Sequence, residues 1–136
     1  IKMLKQLSIY AENKKGALQT MTNALYEAGI NIWGSVTNDG AEYGINRMVV
    51  SDPEKAKEVL TERGYLCRFV DVLAVEIEDK PGALNTLLTA LLDSNVNVDY
   101  TYLSFNRDSS TPVMILHTAD PEEVEICLKA KGFKMC

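Results

Sequence analysis

The sequence contains one pattern twice, and this internal repeat constrains the fold more than any other feature. The stretch LSIYAENKKGALQTMTNALYEAGINI, from Leu7, matches LAVEIEDKPGALNTLLTALLDSNVNV, from Leu73. Gly16 aligns with Gly82, which gives an offset of 66 residues (82 − 16). Farther along, Pro53 aligns with Pro121 at an offset of 68 residues (121 − 53), so the second copy carries about two extra residues between these points. Such a period is too long for a solenoid repeat and suits a small domain. We therefore expect two copies of one module, in residues 1–70 and 71–136.

The length and composition are those of a small globular protein. The 136 residues carry a formal net charge of −5, and 46% of them are hydrophobic. Binding to nucleic acid or to an anionic membrane would call for a basic surface, which this composition disfavours. No apolar run approaches the roughly 20 residues that span a bilayer, and no basic-then-apolar leader opens the sequence. We expect a cytoplasmic protein that has neither a nucleic-acid nor a membrane partner.

The three cysteines predict no metal site and no disulfide framework. Cys67, Cys127 and Cys136 are odd in number and no pair has the spacing of zinc ligands. We expect free thiols in a reducing cytoplasm, with Cys127 at a core position of a helix, where it would pack as a small hydrophobic residue. We expect no cofactor.

Hydrophobic periodicity predicts the order strand, helix, strand, strand, helix, strand in both copies. The predicted strands are 4–11, 31–37, 43–50 and 65–69 in the first copy and 73–77, 97–105, 113–118 and a short 133–136 in the second. Asn38-Asp39-Gly40 has the composition of a hairpin turn. Residues 67–77 read as nearly continuous strand, which predicts a rigid connection between the copies. This order predicts an α+β fold of two ferredoxin-like βαββαβ modules, each with both helices on one face of its sheet.

The helices carry start signals and apolar faces. Asp52 and Pro53 predict a capped helix start, and Asp120 with Pro121 repeats the signal. The first helix of the second copy has six apolar residues that we expect to form its buried face: Ala83, Leu84, Leu87, Leu88, Leu91 and Leu92.

The repeated turn before the first helix of each module is the strongest candidate for a binding site. The first amides of a helix lack internal partners and lie at the positive end of the helix dipole, so a small carboxylate could bind there. Gly16 and Gly82 have no side chain to obstruct it. Asn13 and Asp79 supply one short polar side chain per copy, and a carboxylate such as Asp79 pairs with an ammonium group.

A second polar pair, Asn31 and Asn97, opens the second strand of each copy, and an amide can serve either end of a zwitterion. These groups together match a free amino acid. The alternative is purely structural, because the glycines could make a tight turn and the asparagines could begin a strand. Of the remaining candidates, His117 reads as a strand residue and Trp33 as core packing rather than as a pocket wall.

These motifs resemble the signature of ACT domains, which are small regulatory modules. The resemblance rests on Asn-Lys-Lys-Gly-Ala-Leu followed by Gly-Ile-Asn-Ile, and on Asp-Lys-Pro-Gly-Ala-Leu followed by Asn-Val-Asn-Val. It covers essentially the whole chain and agrees with the predicted order of elements. It implies that the two modules pack side by side with the helices on one face of the sheet. It also implies binding of an amino acid and control of an enzyme of amino-acid metabolism. The first copy has Lys15 where the second has Pro81, which predicts a less rigid turn.

The resemblance also implies which residues bind the ligand, at the interface between the two modules. They are Asn13, Lys14, Lys15, Gly16, Ala17, Leu18, Asn31 and Ile32 in the first copy and Asp79, Lys80, Pro81, Gly82, Ala83, Leu84, Asn97 and Val98 in the second. Because the turn of one module faces the second strand of the other in that family, it implies two composite sites, Asn13 with Asn97 and Asp79 with Asn31.

The sequence is compatible with three functions to different degrees. The favoured one is a stand-alone regulatory protein that binds a free amino acid, acts on a metabolic enzyme and forms a homodimer. The second is a regulatory subunit that docks on an enzyme without any ligand. The third, an enzyme, is disfavoured because the sequence offers no nucleophile with a base, no paired acids and no metal cluster.

Overall fold

The chain divides into two compact units with the same order of elements. A computed structural model describes residues 3–12, 14–38 and 43–136. The N-terminal unit is Lys5–Val70, and the C-terminal unit is Asp71–Cys136 together with Met3 and Leu4. Each unit is an α+β module in which antiparallel strands alternate with two helices, as the repeat predicts.

In the N-terminal unit the elements are β1 (Leu4–Glu12), α1 (Ala17–Glu27), β2 (Ile32–Asn38), β3 (Tyr43–Val50), α2 (Pro53–Glu62) and the first half of β4 (Leu66–Glu76). The strand order is β2-β3-β1-β4, and β1 pairs antiparallel with β3 so that Leu7 faces Met48. Of the turn predicted at 38–40, only Asn38 lies within the described residues.

Alternate residues of β1 face the two helices and form one core. Leu7 and Ile9 are fully buried and pack with Met21, Leu25 and Leu60, which come from α1 and α2. Both helices therefore cover the same face of this sheet, as expected for the ferredoxin-like arrangement.

The C-terminal unit repeats this plan with the second half of β4, α3 (Ala83–Asp93), β5 (Val98–Phe105), β6 (Pro112–Thr118) and α4 (Pro121–Ala130). The strand order is β4-β6-β5. The core contains Leu73 and Val75 from β4, Leu87 and Leu91 from α3, and Leu128 from α4.

The two strands predicted at 65–69 and 73–77 form one uninterrupted strand, β4, which belongs to both units. The short last strand predicted at 133–136 is present only as a bridge. Met135 pairs with Val75, and the amide of Cys136 donates to the carbonyl of Ala74 at 2.9 Å. A bridge supplies few hydrogen bonds, so this edge of the sheet is weakly paired.

The predicted apolar face of α3 is only partly buried. Leu87 and Leu91 are buried, whereas Leu84, Leu88 and Leu92 are 38%, 37% and 76% exposed. The prediction that all of them face the core is wrong, because residues at i and i+4 from Leu84 lie on a neighbouring stripe of the helix surface that the sheet does not reach. The C-terminal unit thus presents an uncovered leucine stripe.

The cysteines differ in environment. Cys67 is buried in the N-terminal core, and burial raises the pKa of its thiol. Cys127 is half-buried rather than in the core, and its thiol lies 3.0 Å from the Ser94 hydroxyl. Within the described part of the chain all three cysteines are free, in agreement with the sequence prediction.

Candidate functional site

The turn before α3 is a type II β-turn that opens directly into the helix. The amide of Ala83 donates to the carbonyl of Lys80 at 3.2 Å. Pro81 holds the first central position, and Gly82 holds the second with φ 85° and ψ −4°. A positive φ at that position is the defining requirement of a type II turn and strongly favours glycine. The geometry therefore accounts for Pro-Gly at this point of the sequence.

The turn before α1 has the same backbone. The amide of Ala17 donates to the carbonyl of Lys14 at 3.1 Å, and Gly16 has φ 81° and ψ −2°. Lys15 takes the position of the proline. Asn13, the polar residue predicted beside this turn, lies outside the described residues.

Both turns leave their helix starts uncapped. Among the described residues no side chain caps α1 or α3, and neither helix has an acidic residue in its first turn. By contrast, Asp52 accepts from the Lys55 amide at the start of α2 and Glu54 lies in that first turn, while α4 has Glu122 and Glu123 there. Acidic side chains offset the positive end of the dipole at α2 and α4. In the described part of the chain, the first helix of each unit lacks both a side-chain cap and a first-turn acid, and a helix start of this kind can accept an anion.

A cleft of about 470 Å³ lies beside the second turn. It is lined by Ile77, Glu78, Asp79, Lys80, Gly82, Ala83, Leu84, Asn85, Leu103, Phe105 and Pro112. Lys80 pairs with Glu78 at 2.7 Å, whereas the Asp79 carboxylate has no ion pair or hydrogen bond within the described part of the chain. The cleft joins five of the six turn residues predicted in this copy, all but Pro81, to apolar side chains of β5.

The cleft described at the first turn lies on the side of the end of α2, and its counterpart in the second copy is a cleft of about 390 Å³ that includes Gly132 and Phe133. The first-turn cleft measures about 910 Å³ and combines the turn residues 14–17 with Gln19, Thr20, Tyr10–Glu12 and Arg63–Leu66. Arg63 donates to Glu27 at 2.9 Å, and this contact holds the pKa of the Glu27 carboxyl below its usual range. Leu18, predicted with this turn, is outside the cleft and 47% exposed.

Asn31 and Ile32 lie at a different place in the N-terminal unit. The Asn31 amide donates to the Ser51 hydroxyl at 3.0 Å, and the Ser51 amide returns a bond to the Asn31 carbonyl at 2.9 Å. Asn31 and Ile32 line a shallow cleft along α1, and Ile32 also packs against the core. The structure does not bring these residues into the cleft of their own module's turn.

Asn97 belongs to a polar network that the sequence did not reveal. Its side-chain amide donates to Asp99 at 3.3 Å, and Asp99 lies 2.9 Å from the Nδ1 atom of His117. The His117 ring stacks on Tyr100 with centroids 4.9 Å apart. Val98 packs against the core instead. His117 is a strand residue, as predicted, but it is held by a carboxylate and an aromatic ring from the neighbouring strand.

A β-bulge at the same position in both copies explains why Asp99 was missed. The register of β2 with β3 shifts between Ile32 and Gly34, and the register of β5 with β6 shifts between Val98 and Tyr100. The extra residue is Trp33 in one copy and Asp99 in the other. A bulge redirects the side chain of its extra residue, and strict strand alternation cannot predict that direction.

Asn97 and Asp99 also line a cleft of about 460 Å³ at the start of α4, together with Asp120 and Glu123. Among the described residues, no group of three or more His, Cys, Asp or Glu side chains is arranged to hold a metal ion. The described helices include none that is both long and apolar enough to cross a membrane.

Comparison with solved structures finds the same fold over nearly the whole chain. A protein of Bacteroides thetaiotaomicron superposes with a TM-score of 0.89 and 30% sequence identity, covering 98% of this chain and 92% of that one. The ligand-free regulatory subunit of aspartate kinase from Thermus thermophilus has a TM-score of 0.69 at 16% identity, covering 95% and 91%. The corresponding subunit from Thermus flavus has a TM-score of 0.63 at 18% identity, covering 95% and 91%.

A search of curated protein sequences found no significant match. The sequence profile of the ACT domain pair, however, matches residues 2–133. This match spans both copies of the repeat, both uncapped glycine turns and both bulged strands. The chain therefore belongs to the ACT domain pair family.

Proposed function

We propose that this chain is a regulatory protein that binds a free amino acid and thereby controls an enzyme of amino-acid metabolism. The observation that carries the proposal is the pair of uncapped helix starts. Of the four helices in the described part of the chain, only the two that follow the glycine turns have neither a side-chain cap nor a first-turn acid. The ligand carboxylate binds at these amides, where the helix dipole favours a negative charge.

The ammonium group of the ligand pairs with Asp79 in the second copy. Asp79 is exposed beside the turn, and the neighbouring Lys80 is already neutralised by Glu78. A carboxylate without a cation nearby is a good partner for an ammonium group, because the pair forms charge-assisted hydrogen bonds. The prediction that each site combines the turn of one module with Asn31 or Asn97 of another rests on the family resemblance and stays a prediction.

Regulation follows from membership of the family. An ACT domain pair is a regulatory module, and the fold is shared with the regulatory subunit of aspartate kinase. A bound amino acid regulates by favouring one of two states that differ in affinity for an enzyme partner. We propose a cytoplasmic homodimer that has no catalytic activity of its own.

The second candidate function is docking on an enzyme without any ligand. The leucine stripe of α3, formed by Leu84, Leu88 and Leu92, favours it, because an uncovered apolar stripe is typical of a protein interface. Such a subunit would bind its enzyme equally well with and without amino acids.

The test is thermal unfolding of the purified protein with each of the twenty amino acids at millimolar concentration. A ligand at a hundredfold excess over Kd stabilises the folded state by about 2.7 kcal/mol, and micromolar binding is within reach for a ligand of this size. We expect one amino acid or a few related ones to raise the Tm, and Asp79→Ala to remove the shift.

Asp93→Ala is the matched control, since it removes the same charge from the other end of α3. Asn97→Ala and Asn31→Ala test the composite sites separately. If no amino acid raises the Tm of the wild-type protein, the sensor function is wrong and the docking function replaces it.

A further inference from the structure

We infer that the site at the second turn selects amino acids with an apolar side chain. The inference deepens the proposed function and rests on it. The cleft beside this turn has two chemically different ends, one that suits the charged groups common to all amino acids and one that suits a hydrocarbon side chain. The second end is what decides between amino acids.

The apolar end is formed by β5 and the start of β6. Leu103 and Phe105 lie two residues apart on β5, so their side chains point to the same face, and Pro112 and Leu84 complete the lining. Leu103 is 50% exposed and Phe105 is 54% exposed. Large apolar side chains that remain in water around a concave site gain free energy when an apolar group covers them.

The polar end is formed by the turn and the start of α3. The amides of Leu84 and Asn85 donate to no acceptor within the described part of the chain, whereas the flanking amides of Ala83 and Thr86 are bonded to the turn. These two open amides can receive a carboxylate. Asp79 lies in the same cleft, and its negative charge is opposite to that of the ligand's ammonium group. An α-amino acid places its two charged groups at this end and extends its side chain toward Leu103 and Phe105.

The first copy differs from the second at two positions of the apolar end. Thr37 stands where the second copy has Leu103 (103 − 66), and Gly44 stands where it has Pro112 (112 − 68). Both differences remove hydrocarbon from the position of the apolar end, so we expect the apolar-selective site at the second turn.

The experiment titrates the whole protein with a linear series of amino acids: alanine, 2-aminobutyrate, norvaline and norleucine. Calorimetry measures Kd for each. Each added methylene group that the cleft covers is expected to tighten binding by about fourfold. Serine, lysine and aspartate are expected to bind at least tenfold more weakly than leucine, since the apolar wall leaves their polar groups unpaired.

Leu103→Ser and Leu103→Thr, the latter restoring the residue of the first copy, are expected to weaken leucine binding by about tenfold. Thr37→Ala, at the equivalent position of the first copy, is the matched control and should leave Kd unchanged. Circular dichroism checks that each variant is folded. Leu103 is half-exposed, so its substitution is not expected to prevent folding. A loss of leucine binding in Leu103→Ser but not in Thr37→Ala supports the inference.

Each contrary result points to a definite alternative. If a polar amino acid binds best and Asp79→Ala abolishes its binding, the proposed function stands and the apolar selectivity is wrong. If leucine binds but Leu103→Ser leaves Kd unchanged, the site lies elsewhere and the inference is overturned. If no amino acid binds and Leu103→Ser instead converts a dimer to a monomer in sedimentation, a second copy of the chain covers these side chains, and the inference and the proposed function both fail.

Discussion

The two glycine turns share a backbone and differ in what surrounds them. Gly16 and Gly82 have φ angles of 81° and 85°. In each copy a threonine hydroxyl of the following helix donates to the glycine carbonyl, at 2.9 Å from Thr20 and 3.0 Å from Thr86. The second turn, however, faces Leu103 and has Pro81. The repeat therefore preserves the backbone of the turn in both copies, while some of the side chains around it differ.

The β-bulge gives the same lesson on the sheet. Both copies have the irregularity at the same step, yet its extra residue is Trp33 in one and Asp99 in the other. Only the second copy forms the pair of Asp99 with His117. Backbone geometry needs a few residue types at fixed positions, whereas side chains around it are free to change between copies.

The comparison is tested most severely in the two cores. Met21 and Leu87 occupy equivalent helix positions and both are fully buried. Met21→Ala and Leu87→Ala should each lower the free energy of unfolding by about 2–5 kcal/mol, because each leaves a cavity. Chemical denaturation measures the loss. Tyr26→Ala and Leu92→Ala, on the exposed faces of the same helices, should change the free energy of unfolding by no more than about 0.5 kcal/mol. A loss of less than about 0.5 kcal/mol in either core variant would show that the two cores are not equivalent.

Substitution of the two glycines tests whether the turns are equal. A Cβ atom at Gly16 or Gly82 would meet no atom within 4 Å, so Gly16→Ala and Gly82→Ala should cost only the backbone strain of a positive φ. That strain is about 1–2 kcal/mol. Denaturant midpoints should fall equally in the two variants. A difference of more than about 1 kcal/mol between them would show that the turns are not equivalent.

The starts of the two second helices should respond differently. Asp52 caps α2 by accepting from the Lys55 amide at 3.2 Å, so Asp52→Ala should cost about 1 kcal/mol. Asp120 does not cap α4 and has φ 51°. Asp120→Gly should therefore leave the stability unchanged or raise it by up to about 1 kcal/mol, since glycine adopts this conformation freely. Thermal unfolding of both variants decides, and a loss of stability in Asp120→Gly would mean that this carboxylate has a structural role.

The smallest effect is expected where one turn has proline and the other lysine. Lys15 holds the first central position of a type II turn, which proline favours. Lys15→Pro should stabilise the protein by about 0.4–1 kcal/mol by restricting the unfolded chain, and Pro81→Lys should destabilise it by a similar amount. The two midpoints should move in opposite directions. A fall in stability for Lys15→Pro would indicate that the first turn needs the Lys15 amide.

The fold was predictable from the sequence because its signals are local and occur twice. Glycine at a positive φ, Asp-Pro at a helix start and alternating apolar residues in a strand each report on a few neighbouring residues. The same reasoning failed for Asp120, where the Asp-Pro signal is present but the backbone adopts a left-handed conformation and the side chain makes no capping hydrogen bond.

The candidate site was predictable only in part, and its binding of a ligand stays a prediction. The turn residues were predicted because glycine and the helix start lie together in the sequence. The apolar wall was not, because Leu103 and Phe105 are 19 or more residues beyond the turn (103 − 84) and join it only through the sheet.

The sequence by itself determined the two-module organisation, the order of elements and the backbone of the two turns, since each depends on contacts between neighbours in the chain. Only the tertiary structure decided that Leu84, Leu88 and Leu92 stay exposed, that a bulge pairs Asp99 with His117, and that the last strand shrinks to one bridge. Those outcomes depend on which surfaces of distant elements come into contact. The hydrophobic periodicity of one segment cannot predict this, because it does not depend on how far a neighbouring element extends.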